Sequence, residues 1–246
     1  MGLLEGRTAV VTGGSTGIGL AAAQRLAAEG AHVFVVGRRE PELEKAVAAI
    51  GDATAVVGDV SVAADVERLY EQVRARGKGL DVVFANAGVN HLATLEEVTE
   101  EDHDRVFAVN VKGVLLTVQK ALPLLNEGAS VILASSTAAQ NGAAGMGDYG
   151  ASKAAVRAYA RAWTNELRGR GVRVNVISPG PVDTPMFEDV FGERADEMKA
   201  AIGAAIPAER VAHPEELAAA VAFLASSQSS FVHGVEIVVD GGELAA

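Results

Sequence analysis

Short, almost wholly apolar runs recur along this chain, each separated from the next by a longer amphipathic stretch. The runs at Thr8–Thr12, 32–36, Ala53–Val57, Leu80–Ala85, 130–134, 173–177 and Glu236–Val239 have the length and valine content of strands. The stretches 17–29, 41–50, 62–76, 100–109, 111–125, 149–170 and Pro214–Ala225 have helical character, and 185–208 is helical in part. Gly30 suits the C′ position of the first helix, Pro123 predicts a kink or an early end to 111–125, and Pro214 suits N1 of the last helix. Strands that alternate with helices pair in parallel through right-handed crossovers. Runs such as Val33-Phe34-Val35-Val36 have no polar alternation, so both faces of the sheet must be covered. The expectation is an α/β fold: a doubly wound parallel sheet of about seven strands with helices on both faces. No linker, repeat or low-complexity tract divides residues 1–246, so a single domain is expected.

Composition narrows the function classes. A net charge of −11 argues against a general nucleic-acid binder, because phosphate would be repelled. The absence of cysteine excludes disulfides, thiol catalysis and cysteine–zinc sites. The five histidines form no i,i+4 pair, so no metal site is expected. No apolar run approaches the ~18 residues of a membrane helix, and residues 1–7 lack a secretory pattern, so a cytoplasmic protein off the membrane is expected.

Between the first strand and first helix lies Thr12-Gly13-Gly14-Ser15-Thr16-Gly17-Ile18-Gly19. A strand, a glycine turn and a helix aim free backbone N–H groups and the helix dipole at a pyrophosphate, and glycine permits close approach. Its spacing is Gly-x3-Gly-x-Gly. An acidic residue at the end of the second strand would bind the ribose 2′-hydroxyl of NAD. Here that strand ends in Val36-Gly37-Arg38-Arg39, and an arginine can pair with a 2′-phosphate, so NADP(H) is expected over NAD(H). The competing account makes both arginines a solvated loop. Asp59, before Val60, could accept from the adenine amino group or cap the next helix; Ser61 is the better cap candidate.

Tyr149 and Lys153 lie four residues apart on a predicted helix, hence on one face. An ammonium beside a phenol is expected to draw its pKa down from ~10 and fit it for acid–base work. Asp148 is the expected N-cap. Taken singly, Tyr149 could be a core tyrosine with one satisfied hydroxyl, Asn110 a capping amide and Ser136 a turn residue.

Together with Asn86-Ala87-Gly88, Asn110, Ser136, Asn175, Pro179-Gly180 and Asp240-Gly241-Gly242, these motifs resemble, in order and along nearly the whole chain, the short-chain dehydrogenase/reductase family in its compact form. The resemblance implies a single-domain Rossmann fold and an oxidoreductase acting on a small-molecule carbonyl or alcohol. It implies Tyr149 as general acid/base and Lys153 as the residue that tunes it and holds the nicotinamide ribose. Ser136, rather than Ser135, would bond the substrate oxygen, and Asn110 would hold a water linking Lys153 to solvent. Gly13, Ser15, Thr16, Gly17 and Ile18 would meet the phosphates, and Arg38, Arg39, Asp59, Val60, Asn86, Ala87 and Gly88 the adenosine half. Pro179, Gly180, Val182 and Thr184 would hold the nicotinamide. Residues 185–208 would form a lid over the substrate, with Asp183, Glu188 and Asp189 disfavouring an anionic one. Family members are usually homotetramers or homodimers. Other classes on the same scaffold are a non-catalytic NADP(H) sensor and a sugar-nucleotide epimerase, which needs a larger C-terminal domain. Enoyl reductases of the family space Tyr and Lys more widely than here.

Overall fold

The computed structural model describes residues 2–245. In chain order its elements are β1 (Thr8–Thr12), α1 (Gly17–Ala28), β2 (His32–Gly37), α2 (Glu40–Ile50), β3 (Ala53–Val57), α3 (Ala63–Arg76), β4 (Leu80–Ala85) and α4 (Glu100–Phe107). Then follow α5 (Gly113–Ala121), β5 (Leu125–Ala134), α6 (Ala138–Asn141), α7 (Gly147–Glu166), β6 (Arg173–Pro179), α8 (Met186–Phe191), α9 (Ala195–Ala204), α10 (Pro214–Ala225) and β7 (Glu236–Val239). The strands make one sheet in the order β3-β2-β1-β4-β5-β6-β7, every neighbouring pair parallel.

The two-residue period of a strand divides the core in two. Val10, Val83, Val131 and Val174 face one way, against α3, α5 and α7. Ala9, Val11, Phe84, Ile132 and Ile177 face the other, against α1, α2 and α10. β1 and β4 are buried along their whole length, whereas the edge strands β3 and β7 are only partly covered.

Several expected boundaries shift for physical reasons. The stretches 100–109 and 111–125 form one helical run, with a π turn at Ala108–Lys112 joining α4 to α5. Pro123 falls in a 3-10 turn that ends this run. α7 begins two residues before Tyr149, so Met146 takes the N-cap position and Asp148 lies in the first turn. Ser61 does not cap α3 either. Val62 holds that position, and Ser61 turns its N–H and O–H onto Asp59 Oδ1 at 2.8 and 2.7 Å. Among the described residues, no helix is long and apolar enough to cross a membrane.

Strand order reverses direction between β1 and β4, so their crossovers leave on opposite faces and a crevice opens at the carboxyl ends of the strands. The motif residues follow those ends: Gly13 after β1, Asn86 after β4, Ser136 after β5 and Gly180 after β6.

Candidate active site

The glycine turn fits an anion. Gly13 and Gly17 adopt φ of +64° and +53°, the left-handed region that favours glycine. A Cβ on Gly13 would come within 2.9 Å of Ala87 Cα, and one on Gly19 within 2.1 Å of the Gly13 carbonyl oxygen. Gly19 is therefore demanded by the turn's own packing against α1. Thr16 occupies the N-cap of α1 without a side-chain cap bond, and the first turn holds no acidic residue. The first N–H groups of α1 are thus left for a negatively charged partner. Ser15, Thr16, Gly17 and Ile18 are half-buried around this end.

Thr12 braces the turn against the neighbouring strand. Its Oγ1 accepts from Asn86 N and Ala87 N at 3.1 Å each, while Asn86 Nδ2 donates to the carbonyls of Thr12 and Gly13 at 3.0 and 3.2 Å. Asn110, fully buried in the π turn, does the same for the next residues. It accepts from Val89 N at 2.9 Å and donates to Val89 O at 2.9 Å and Ser152 Oγ at 3.0 Å. Gly88 lies between, where a Cβ would stand 3.2 Å from Lys153 Nζ and 3.3 Å from Asn110 Oδ1.

Tyr149 and Lys153 project from α7 into this corner, and both are buried. Lys153 Nζ lies 5.7 Å from the Tyr149 ring centroid and donates to Ala134 O at 2.9 Å. Burial pushes the Tyr149 phenol above its ordinary range, and the hydrogen bond with Ser136 opposes that rise. Burial also lowers Lys153 to about 8. The expectation of a lowered phenol is therefore corrected: loss of hydration is the largest influence on both groups and moves Tyr149 upward. Ser136 Oγ also accepts from Ala138 N at 3.2 Å. Ser135 is committed elsewhere, its hydroxyl donating to Lys153 O at 3.0 Å.

The remaining predicted cofactor residues ring the crevice. Arg38 and Arg39 are exposed beyond the end of β2. Asp59 uses Oδ1 for Ser61 and its N–H for Asp65 Oδ2 at 2.8 Å. Val60 is buried, with the Cβ direction of Gly113 aimed at its Cγ2. Gly180 is explained by a neighbour within the chain, since its Cβ would meet Asp240 Cα at 2.7 Å. Val182 bridges Ala212. Thr184 packs over the glycine turn, its Cγ2 standing 3.1 Å from a Cβ built on Gly17. Asn175 faces away from the crevice, holding Val232 O and Val235 N.

Three further pairings lie beside the site. Lys199 on α9 pairs with Asp183 at 2.8 Å and Glu188 at 2.9 Å, one ammonium shared by two carboxylates, which reduces the negative charge of this segment without cancelling it. His91 pairs with Asp102 at 3.4 Å and lines a cavity of about 260 Å³ with Val98, Val106 and Asp148. Asp148 Oδ2 points at His103 Nδ1, 3.2 Å away, although without good hydrogen-bond geometry. These pairings join residues distant in sequence and carry no local signal; Thr12 could have been found from its place in the turn.

A family model described as enoyl-(acyl carrier protein) reductase matches residues 13–243. Oxidoreductase asL5 of Sarocladium schorii is 47% identical over 97% of this chain and 96% of its own. The 3-oxoacyl-[acyl-carrier-protein] reductase FabG of Thermotoga maritima is 36% identical over 97% and 98%. Dehydrogenase/reductase SDR family member 4 of Oryctolagus cuniculus is 35% identical over 97% and 94%. The crystal structure of levodione reductase superposes with a TM-score of 0.94 at 32% identity, covering 99% of both chains.

Proposed function

The chain belongs to the short-chain dehydrogenase/reductase family of oxidoreductases, and from that premise we propose an NADP(H)-dependent interconversion of a ketone and a secondary alcohol, with Tyr149 as general acid/base. The observation that carries this reading is the buried Tyr149 phenol, with Lys153 Nζ 5.7 Å from its ring centroid and Ser136 placed to lower its pKa. A bound nicotinamide supplies or accepts the hydride at the substrate carbon. Ser136 and Tyr149 donate hydrogen bonds to the carbonyl oxygen as it gains negative charge, and Tyr149 delivers the proton. Because burial holds the phenol above its ordinary range, it is protonated at neutral pH and loaded as an acid. Lys153, lowered to about 8 by burial, favours the phenolate when charged. Asn110 holds the 86–89 turn beside the ammonium and belongs to the same set.

The uncapped start of α1 supports a pyrophosphate contact, and two arginines without a carboxylate at the end of β2 support NADP(H) over NAD(H). Residues 185–208 serve as the lid, with Phe187 and Phe191 supplying apolar contact. A groove lined by Phe107, Ala108, Val111, Leu115 and Tyr159 supports a helix-to-helix homodimer or homotetramer, which light scattering checks directly.

The test is reduced-nicotinamide absorbance with NADPH and NADH against a panel of ketones plus one enoyl thioester, the latter because of the matched family model. Ketone turnover is expected, with Tyr149→Phe reducing kcat ~10²–10⁴-fold while cofactor fluorescence titration shows binding retained. A Tyr149→Phe protein as active as wild type refutes the acid–base assignment. Binding without turnover favours the sensor, and turnover of the enoyl thioester alone moves the assignment to alkene reduction.

A further inference from the structure

Glu236, the first residue of β7, holds three hydrogen-bond donors from three other elements with one carboxylate. Its Oε2 accepts from Nε of Arg157 on α7 at 2.8 Å, and Arg157 Nη2 lies 2.6 Å from the same oxygen as an ion pair. Its Oε1 accepts from Ser178 Oγ on β6 at 2.6 Å and from Gln140 Nε2 on α6 at 3.1 Å. The Glu236 and Arg157 side chains are only 20% and 26% exposed, so water competes weakly for this arrangement.

Each partner stands beside a residue of the candidate site. Arg157 is one turn beyond Lys153 and two beyond Tyr149, so its ion pair with Glu236 restrains the rotation of α7 about its axis. Ser178 immediately precedes Pro179-Gly180. Gln140 closes on the segment that follows Ser136. That segment, α6, is four residues long and has no helical stability of its own, so its position depends on outside contacts. The second of those is Asn141 Nδ2 donating to Glu243 Oε1 at 3.0 Å.

We propose that Glu236 is a positioning residue for the oxidoreductase site, setting Ser136, Tyr149 and Pro179-Gly180 in register through Gln140, Arg157 and Ser178. The inference rests on the function proposed above. Glu236 touches no reacting atom; it determines where the oxygen-binding hydroxyls sit relative to the nicotinamide wall. Orientation errors of this kind act on the chemical step, where a displacement of about 1 Å can reduce rate on the order of 10²-fold.

Glu236→Gln separates this role from general stapling of the sheet edge. The amide keeps one acceptor oxygen, whereas its NH₂ cannot accept from Arg157. On a ketone the wild type turns over, kcat is expected to fall about tenfold or more while the cofactor Kd from nicotinamide fluorescence stays within about twofold. Glu236→Gln/Arg157→Gln should be no slower than the slower single variant, because both remove one link. Hydrogen exchange of the folded proteins should speed up in segments 136–141 and 147–157 as well as in β7. An unchanged kcat with a lower melting temperature, additive rate losses, or faster exchange confined to 236–239 would each overturn the proposal. A wild-type chain inert on the whole panel overturns the functional reading instead, and the exchange comparison still decides whether Glu236 holds these segments.

Discussion

Lys153→Met in the cofactor-free protein should raise stability at neutral pH while abolishing the proposed chemistry. The Lys153 side chain is 3% exposed, and its single recorded hydrogen bond goes to Ala134 O. Burial lowers its pKa from 10.5 to about 8, so the folded chain holds this proton less tightly than the unfolded chain. At ~1.4 kcal/mol per pH unit, that difference destabilises the fold by about 3 kcal/mol at pH 7. Between pH 8 and 10.5 the unfolded chain binds more protons than the folded one, so stability rises with pH across that window. At pH 9.5 about 1 kcal/mol of the penalty remains. Methionine fills similar volume without charge but leaves Ala134 O unpaired, at a cost of about 1 kcal/mol. The net gain is about 2 kcal/mol at pH 7 and close to zero at pH 9.5. For a chain of this size, ~2–4 °C per kcal/mol gives a melting temperature roughly 4–8 °C higher at pH 7. Thermal melts of both proteins at pH 7, 8.5 and 9.5 measure this directly. Higher values would begin to ionise tyrosines on unfolding. A variant less stable than wild type at pH 7, or a gap constant across the series, refutes the assignment of Lys153 as a strained buried cation.

Two other substitutions probe the cofactor crevice. Arg38→Asp should weaken NADPH binding roughly 10- to 100-fold while leaving NADH nearly unchanged, as a charge-assisted contact to a 2′-phosphate requires; equal losses in fluorescence titrations would remove that contact. Gly19→Ala should destabilise the protein by about 1–3 kcal/mol, because its methyl would lie 2.1 Å from the Gly13 carbonyl oxygen and 2.6 Å from Asn86 Nδ2. A melting temperature equal to that of wild type would show that the turn yields without strain.

Much of the architecture was legible before any coordinates. Strand identity followed from apolar runs such as Val33–Val36, which only a doubly covered sheet can bury, and β1, β3, β4 and β7 begin and end where their sequence patterns do. The glycine turn was readable because its purpose is local: a helix start without an acidic first turn lies within a few residues of Gly13. Helix ends were less legible. Asp148 and Ser61 have the chemistry of caps, yet Asp148 lies in a helix that starts earlier and Ser61 bonds Asp59. The π turn that carries Asn110 into the core had no sequence signature at all.

Sequence alone determined the order of the elements, the parallel sheet, the phosphate turn and the Tyr149–Lys153 spacing, because each depends on residues near one another along the chain. Tertiary structure alone decided the direction in which burial moves Tyr149, the pairing of Asp183 and Glu188 with Lys199, and the gathering of three other elements around Glu236. Those outcomes depend on burial and on partners up to 96 residues apart. Hydration lost on burial and charge gained from a distant neighbour are properties of the folded surroundings, which a local pattern does not encode.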